Sequence, residues 1–422
     1  MKVEIKLPQP HAGQLALWRG RDRFNAVRCG RRWGKTQFAI NLLTQHAANR
    51  ESWGLFAPDY KILSETYREL ETVLRPITES SSKTDGLIRL ITGGRIDFWT
   101  LNNPRAGRSR KYHGVVLDEV AFAGPDMSDI WQKAIAPTLL DYRGQAWALS
   151  TPNGLDPENW FCRICTESEW GWKQFHAPTS TNPHLDAGDV AKLKDQYPPL
   201  VYQQEYLAEF VDWSGSAFFS EDSLLHEGQP VEFPERCDTV YAVIDTAVKD
   251  TLEHDGTAVV YVSKSKRERS PLTILDWDVL QIEGYLLEDW LPGVYMRLDE
   301  LSKACGARYG NAGTYIEDKS TGSVLIQHAR NKGLQVEAID SVLTSLGKDP
   351  RAISASPYVY RGDVKLSRYA YDKTKSYRGQ TRNHLLSQVC GYRPGTKTPH
   401  GMDLLDGFVY GVMIGLGDSD GF

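Results

Sequence analysis

The sequence predicts an α/β protein in which a P-loop (RecA/ASCE-like) domain is followed by a domain with an RNase H-like core. Three observations support this prediction. Strands and helices alternate through the first half of the chain, as in a parallel sheet covered by helices on both faces. Within that half, a strand, a tight loop ending in Gly-Lys-Thr and a helix follow one another. In the second half, three meander strands, a helix and another strand follow the order of an RNase H-like core.

These patterns divide the chain into three parts. We place the P-loop domain at residues 1–212, a linker subdomain at 213–236 and the RNase H-like domain at 237–422. The linker begins in an aromatic and small-residue stretch, 211–219, and has little periodicity. A chain of 422 residues is long enough for two or three domains, each with its own core.

The loop at residues 29–36 carries the strongest single signal. Its sequence Cys-Gly-Arg-Arg-Trp-Gly-Lys-Thr follows an apolar strand at 24–27 and precedes a helical pattern at 37–43. In such a loop the backbone amides and the helix N-terminus face phosphate groups. Lys35 is predicted to reach the β- and γ-phosphates, and the Thr36 hydroxyl to ligate Mg²⁺. Cys29 stands where the motif usually has its first glycine, and Gly30 comes one residue later.

Two later strands end in residues suited to the same site. The apolar strand 115–117 runs into Asp118, predicted to hold Mg²⁺ through water, and Glu119, predicted to polarise the attacking water. An acidic turn after a buried strand is the ordinary interpretation of an Asp-Glu pair, but the preceding P-loop favours catalysis. The strand 146–149 leads into Ser150-Thr151-Pro152, which is suited to sense hydrolysis and relay it.

The remaining elements of the first half follow from periodicity and turn signals. We predict a strand at 53–58, helices at 62–74, 189–196 and 201–209, and a hairpin with strands at 87–91 and 95–99. Cys162 and Cys165 have the spacing of a zinc or redox pair. Because no second such pair lies nearby, we expect them to pack in the core instead.

Composition limits the classes of protein that remain. The net charge of −5 argues against a uniformly basic protein that coats nucleic acid, although local basic surfaces are compatible with it. Six cysteines in such a long chain do not form a disulfide framework. The N-terminus lacks an apolar signal core, and the apolar run 404–416 is interrupted by Asp406 and too short to span a bilayer. We therefore expect a cytosolic protein.

The second half places acidic residues at the ends of apolar segments. We predict strands at 239–244, 256–262, 272–279 and 314–316, with a helix at 284–304. The first strand delivers Asp245, the fourth is followed by Glu317 and Asp318, and Asp403 opens the last helix. Converging carboxylates repel one another unless divalent cations lie between them, which is the arrangement that two-metal phosphodiester cleavage requires. Oxygen ligands favour Mg²⁺ or Mn²⁺ over zinc.

Several assignments within this acid set stay open. If Glu317 and Asp318 both lie in a strand, their side chains point to opposite faces of the sheet. The two residues are then unlikely to ligate a metal equally. Asp406 shares a helix face with Asp403, and at least one of the two can point to the site. Asp250 and Asp255 are candidate accessory acids. An individual strand-end acid is more often a turn former than a ligand.

Together these segments resemble the large terminase subunit of tailed bacteriophages, from about Pro10 to Leu416. The resemblance rests on residues 31–36, 116–119, 150–152, 204–206 with 209–210, 244–245 and 316–319, and on His400 with Asp403 and Asp406. It implies an ATP-driven motor that moves double-stranded DNA into a procapsid, and a nuclease that cuts the DNA concatemer. It further implies a small terminase subunit and a portal protein as partners, a homo-oligomeric ring on the portal, and no membrane. The expected location is the host cytoplasm, with transient docking on the procapsid and absence from the mature virion.

The resemblance also implies roles for individual residues. ATP and Mg²⁺ would be bound by Gly30, Arg31, Gly34, Lys35, Thr36 and Asp118, with Arg31 as the P-loop arginine. Gln14 resembles the glutamine that reads adenine, although an exposed polar helix residue is the more common interpretation of such a position. Arg108 is favoured over Arg105 and Arg110 as the arginine that acts in trans, in a loop that could alternatively be solvated or touch DNA. The nuclease acids would be Asp245, Glu317 and Asp403, with Asp318 as the alternative to Glu317, holding two Mg²⁺ or Mn²⁺ ions.

Other interpretations remain for the DNA surface and for the whole chain. Nine basic residues form a tyrosine-rich span that suits phosphate contacts or, with equal weight, a solvated face: Lys348, Arg351, Arg361, Lys365, Arg368, Lys373, Lys375, Arg378 and Arg382. One alternative function is a helicase-like DNA-repair ATPase carrying a nuclease domain. The other is an assembly factor whose P-loop only binds nucleotide.

Overall fold

The structure is a computed structural model that describes residues 5–213, 218–246, 256–266, 270–282, 286–319, 321–394 and 402–417. The chain separates into two compact units. The first unit comprises residues 1–195 and 199–212, and the second comprises 196–198 and 213–422. Asp250, Asp255 and His400 lie outside the described residues. Within the described ranges, no helix has the length and apolar character needed to cross a membrane.

From residue 5 onwards, where the structure describes it, the first unit contains eight strands and seven α-helices. The strands are β1 (Phe24–Cys29), β2 (Ser52–Ala57), β3 (Thr78–Ser82), β4 (Leu87–Leu90), β5 (Arg95–Thr100), β6 (Gly114–Asp118), β7 (Gln145–Ser150) and β8 (Lys173–Ala177). The helices are α1 (Ala12–Gly20), α2 (Lys35–Ala48), α3 (Tyr60–Leu74), α4 (Met127–Ile130), α5 (Trp160–Thr166), α6 (Ala187–Gln196) and α7 (Pro199–Glu205).

The strands make one sheet in the order β3-β4-β5-β2-β6-β7-β1-β8. Every pairing from β5 to β8 is parallel, whereas β3 and β4 pair antiparallel and β4 forms the predicted hairpin with β5. β7 lies between the P-loop strand β1 and the acid-bearing strand β6. Parallel strands bring their carboxyl ends to one edge, so the residues that follow β1, β6 and β7 meet there.

Separate hydrophobic cores cover the two faces of this sheet. Because successive residues of a strand point to opposite faces, Val116 packs with α2 and α3 while its neighbours Val115 and Leu117 pack with α5. Residues of β1, β2 and β7 alternate in the same way. The predicted P-loop α/β architecture, with helices on both faces, is therefore confirmed.

The differences from prediction lie at the edges of this unit. β3 and β8 have few buried residues and too little apolar alternation to be recognised as strands in the sequence. The helix predicted over 201–209 is shorter, because α7 ends at Glu205 and Ala208 adopts a left-handed conformation with φ of 57°.

The second unit has eight strands and eight helices in its described residues. Its strands are β9 (Thr239–Asp245), β10 (Thr257–Lys264), β11 (Leu272–Leu280), β12 (Asn311–Ile316), β13 (Val336–Ala338), β14 (Val364–Leu366), β15 (Lys375–Tyr377) and β16 (Gln380–Arg382). Its helices are α8 (Glu221–Leu224), α9 (Leu287–Ala304), α10 (Thr321–Asn331), α11 (Ser341–Ser345), α12 (Lys348–Tyr360), α13 (Arg368–Asp372), α14 (His384–Gly391) and α15 (Asp403–Leu416).

Six of these strands form a mixed sheet in the order β13-β12-β9-β10-β11-β14. β9, β10 and β11 are the predicted antiparallel meander, and β12 returns parallel to β9 after the helix α9. This order confirms the RNase H-like core. The helices and short strands between 321 and 391 were not predicted, because the most prominent feature of that stretch in the sequence is its charge.

Glycines let α15 lie close to one face of this sheet. A Cβ atom at Gly407 would stand 3.1 Å from Val260, and one at Gly415 would stand 2.3 Å from Leu272. The opposite face is covered by α9 and α10, whose leucines pack on Val240 and Val259. The close approach of α15 places its first residue, Asp403, at the end of the sheet that carries Asp245.

Candidate active sites

The P-loop of the first unit turns directly from β1 into α2. Gly34 is the N-cap of α2 and has a φ of 100°, a left-handed conformation that favours glycine. Lys35 Nζ lies 2.8 Å from Glu119 Oε1, so the predicted phosphate-binding lysine and the predicted catalytic base form an ion pair. Burial lowers the pKa of Lys35, but the charges of Glu119 and Asp118 offset this and raise it overall. Lys35 is therefore fully charged.

The acids at the end of β6 are held in place by their neighbours. Asp118 is buried, and burial together with the charge of Glu119 raises its pKa to about 7, although Lys35 opposes the shift. Glu119 has a φ of 50°, and its carboxylate accepts a hydrogen bond of 3.3 Å from the Ser150 hydroxyl. The same hydroxyl accepts a bond from the Ala121 amide. Ser150, at the end of β7, therefore touches the predicted base directly.

Arg31 is held by α7 and not by the acids of β6. Its Nε lies 2.5 Å from the buried carboxylate of Glu205, and that charge raises the pKa of Arg31. Gln204 donates to the other oxygen of Glu205 and accepts from the Gly154 amide at 2.9 Å. This chain of bonds connects the P-loop to the loop after β7. The sequence indicated Gln204 and Glu205 only through the resemblance, without a partner.

The unusual start of the P-loop has a packing explanation. A Cβ atom on Gly30 would lie 2.3 Å from Thr179 Oγ1 and 2.5 Å from the Tyr206 carbonyl oxygen, so only glycine fits there. Cys29 is fully buried, and burial raises the pKa of its thiol. Glycine is thus needed at position 30 for the approach of a neighbouring segment.

Gln14 is buried and not exposed, and the protein uses both of its polar atoms. Its Oε1 accepts from the His11 amide at 3.0 Å as part of the capping box of α1. Its Nε2 donates to the Gly34 carbonyl at 2.8 Å. The structure therefore places the predicted adenine-reading residue against the P-loop backbone.

The three arginines considered for a trans role differ in their surroundings. Arg110 lies 3.6 Å from the buried Asp97 and 5.9 Å from the ring centre of Trp99. Arg105 and Arg108 are exposed, and neither takes part in an ion pair of the described residues. The geometry therefore assigns Arg110 an internal contact and leaves Arg105 and Arg108 facing solvent.

In the second unit, the ends of three elements bring acidic residues together. Asp245 ends β9, and the pairing of Ile316 with Ile244 places Glu317 beside it. Asp403 accepts a 2.9 Å hydrogen bond from the Gly256 amide at the start of β10. Burial raises the pKa of Asp245 well above its usual range, and the charges of Asp406, Asp403 and Glu317 add to this.

The register separates the two adjacent acids after β12. Asp318 is exposed and accepts a 2.6 Å hydrogen bond from the Ser323 hydroxyl in α10. Glu317, in contrast, contributes to the electrostatic environment of Asp245. The arrangement therefore favours Glu317 over Asp318 as the member of the acid cluster.

Protein cations neutralise part of this cluster. Lys319 Nζ lies 2.5 Å from Glu317, while Arg351 and Lys348 of α12 lie 2.6 Å and 2.9 Å from the two oxygens of Asp406. Across the described parts of the chain, no three histidine, cysteine or acidic side chains converge closely enough to hold a metal ion. The acids interact electrostatically, but Glu317 and Asp406 are turned towards these cations. The donor set is nevertheless all carboxylate, which fits Mg²⁺ or Mn²⁺ in kind.

Most members of the basic span have partners inside the second unit. Arg361, Arg368, Lys373 and Lys375 form ion pairs with Asp363, Glu232, Asp276 and Asp278, respectively. Lys365 donates to two backbone carbonyls, those of Ser223 and Leu225. These side chains stabilise local structure. The span therefore has fewer positive charges available to contact DNA than its sequence indicates.

The cysteine pair of α5 lies in the first unit's core. Cys162 and Cys165 are buried, and Cys165 packs with Phe161 and Ile164 among the hydrophobic side chains under the sheet. Burial raises the pKa of both thiols.

The sequence is similar to large terminase subunits of two phages over about half of its length. No protein-family model matches the chain. The large terminase subunits of Thermus phage G20c and Thermus virus P23-45 are each 28% identical over 254 residues, covering 51% of this chain and 52% of the relative. The matched region thus spans about half the length of these curated relatives.

Solved structures extend the similarity in fold to nearly the whole chain. The large terminase of a thermophilic bacteriophage matches with a TM-score of 0.62 and 14% identity, covering 96% of this chain and 99% of that one. Its complexes with ADP and with ATP-γ-S match with the same TM-score, covering 95% of this chain and 98% of theirs. The predicted resemblance to large terminases and the predicted two-part fold are both confirmed.

Proposed function

We propose that this chain is an ATP-driven DNA-packaging motor joined to a metal-dependent endodeoxyribonuclease. In this proposal it moves double-stranded viral DNA into a procapsid and cuts concatemeric DNA. The observation that carries the proposal is the presence of a separate acid-lined site in each compact unit. One lies beside a P-loop, where Lys35 pairs with Glu119. The other lies at the end of an RNase H-like sheet, around Asp245.

In the first site, the partner of Lys35 is the proposed catalytic base, Glu119. Lys35 would exchange Glu119 for the β- and γ-phosphates of ATP, leaving Glu119 to orient the attacking water. Thr36 and Asp118 would hold Mg²⁺, which supplies charge neutralisation at those phosphates when bound. Ser150 already contacts Glu119, so it can report the loss of the γ-phosphate to the loop after β7.

In the second site, Asp245, Glu317 and Asp403 are the proposed ligands. Their carboxylates would hold two Mg²⁺ or Mn²⁺ ions, which when bound supply an activated water and stabilise the leaving oxygen. Lys319 would have to release Glu317, which is feasible because the Lys319 side chain is 57% exposed. Asp318 is the less suitable ligand because it is engaged with Ser323.

The assembly around the chain belongs to the same proposal. A small terminase subunit, a portal protein and further copies of this chain in a ring are the proposed partners, in the host cytoplasm and on the procapsid. Arg108 is the proposed trans-acting arginine; its exposure and its position beside the anchored Arg110 support this role. A helicase-like repair ATPase is less well supported, because the second unit has a mixed RNase H-like sheet and not a second parallel RecA-like sheet.

Two substitutions test the proposal by separating its activities. Glu119→Gln should lower ATP turnover by about 10²–10⁴-fold while ATP binding and Mn²⁺-dependent plasmid nicking remain, because only the base is lost. Asp245→Asn should abolish nicking while ATP turnover remains. The matched control is Asp318→Asn, which keeps its acceptor for Ser323 and should leave both activities unchanged.

The results also discriminate between the candidate functions. A wild-type chain that binds ATP without turnover would support the assembly factor. Robust strand displacement by the purified chain would support the helicase. Equal nicking by wild type and Asp245→Asn would remove the proposed nuclease site.

A further inference from the structure

Four consecutive carbonyl groups of the P-loop are each held by a side chain from outside the loop. Thr179 Oγ1 donates to the Arg31 carbonyl at 2.7 Å, and Asn182 Nδ2 donates to the Arg32 carbonyl at 2.7 Å. From α1 and its N-cap, His11 Nε2 lies 3.0 Å from the Trp33 carbonyl, and Gln14 Nε2 donates to the Gly34 carbonyl at 2.8 Å. We call these four residues the carbonyl clamp: His11, Gln14, Thr179 and Asn182.

The bonds of His11 determine which ring nitrogen donates. Its Nδ1 accepts from the Gly13 amide at 3.1 Å and from the Gln14 amide at 3.4 Å. A nitrogen that accepts carries no proton, so Nε2 carries it and donates to the Trp33 carbonyl. All four contacts are therefore donations to loop carbonyls.

Such contacts matter because of the polarity of a P-loop. Phosphate is bound by backbone amides and by the N-terminus of the following helix, whereas a carbonyl oxygen facing the phosphate would repel it. Donors outside the loop hold these four carbonyls in place. The amides of Gly30, Arg31 and Trp33 themselves donate to backbone carbonyls, so phosphate would be met chiefly by the amides at the start of α2. His11, Gln14 and Thr179 are buried, so the donors are themselves held in place.

We propose that the carbonyl clamp is a set of positioning residues for phosphate binding, and that Gln14 acts through the loop backbone rather than by reading adenine. The proposal rests on the proposed ATP site. Both polar atoms of Gln14 already have protein partners, so its side-chain amide is held against the loop backbone without any base present. Gln14 and Asn182 should then act alike, although they come from segments far apart in the sequence.

Inorganic tripolyphosphate distinguishes the two roles because it has no base. In the full chain with Mg²⁺, Gln14→Ala and Asn182→Ala should each weaken the binding of tripolyphosphate, ATP and GTP by a similar factor of roughly 5 to 10, about the value of one or two hydrogen bonds. The ratio of ATP to GTP affinity should stay at the wild-type value. The matched control is Gln45→Ala, an exposed position later in α2, which should change none of these affinities.

Three other outcomes would contradict the proposal in different ways. If Gln14→Ala keeps wild-type affinity for tripolyphosphate and GTP but loses affinity for ATP, Gln14 reads the base and the proposal is wrong. If Asn182→Ala leaves all three affinities unchanged, its half of the clamp has no positioning role. Failure of the wild-type chain to bind either ATP or tripolyphosphate would instead remove the proposed ATP site itself.

Discussion

The two acid-lined sites solve the same electrostatic problem with different residues. Both place carboxylates at the carboxyl ends of strands, and in both a strand-end acid, Asp118 or Asp245, has a raised pKa. In the first unit the neutralising cation is Lys35, a residue of the P-loop itself. In the second unit the cations are Lys319, Lys348 and Arg351, which lie on segments outside the strands.

This difference distinguishes an ion pair that must break during function from one that stabilises the fold. Lys35 is proposed to leave Glu119 whenever nucleotide arrives, so its ion pair must be exchangeable. Arg351 is buried, donates to Asp406 and also contacts the ring of Tyr410. That contact fixes α12 to α15 and has no reason to break. Asp406 is therefore the acid whose loss should affect stability more than chemistry.

The largest expected effect is that of Asp406→Ala on the second unit. Removing this carboxylate leaves the buried Arg351 guanidinium without its charged partner, which typically costs about 3–5 kcal/mol. Calorimetric unfolding of the metal-free chain should show this as a lower free energy of unfolding. The control is Asp363→Ala, which breaks an exposed ion pair with Arg361 and should cost roughly 0–1 kcal/mol. A change of the same small size for both variants would show that Asp406 is not structural.

A stabilising effect that does not exceed that of Asp406→Ala in size is expected for Asp118→Asn without nucleotide or metal. The pKa of Asp118 is about 7 in the folded protein, against an ordinary value of 3.8. The folded state therefore binds more protons than the unfolded state between these values, and its stability falls as the pH rises through them. Asparagine removes this penalty.

The variant should be more stable than wild type by up to about 4 kcal/mol above pH 7, and by little below pH 4. Urea unfolding at pH 4 and pH 8 measures the difference. Asp129→Asn, at an exposed position of the first unit, should show no such dependence on pH. A stabilisation that is equal at both pH values would exclude ionisation of Asp118 as its cause.

The comparison also explains which parts of the structure the sequence could predict. The first site is built from short segments that can be recognised in the sequence. One is an apolar strand followed by Gly34-Lys35-Thr36, and the other is an apolar strand followed by Asp118-Glu119. Such local signals predicted β1, α2, β6 and β7 within a few residues. The edge strands β3 and β8 were missed because pairing with a neighbour, and not their own composition, makes them strands.

The second site depends on contacts between distant residues. The choice between Glu317 and Asp318 requires the register of β12 on β9, which no local pattern contains. Arg351 and Asp406 are 55 residues apart, so no local pattern predicts their pairing. The basic span that contains Arg351 suits phosphate contacts or a solvated face with equal weight. For Gln14 a local signal did exist: His11 and Gln14 have the spacing of a capping box, although histidine is an unusual N-cap. The roles of these residues stay predictions.

The smallest expected effect concerns Lys348, whose side chain is 38% exposed and whose charge opposes the rise in the pKa of Asp245. If the cluster binds Mn²⁺, this ammonium group repels the ion, so Lys348→Met should tighten Mn²⁺ binding by roughly 3- to 10-fold, the value of a unit charge a few ångströms away in a partly solvated site. Electron paramagnetic resonance of free Mn²⁺ measures this without any substrate. Lys375→Met removes a comparable ion pair, with Asp278, and should leave the affinity unchanged. If Lys348→Met and wild type bind Mn²⁺ with equal affinity, Lys348 has a purely structural role, like Arg351. If no variant binds Mn²⁺, the protein cations are the permanent counter-ions of the acid cluster. The second site would then not be a metal site, and its comparison with the first site would fail.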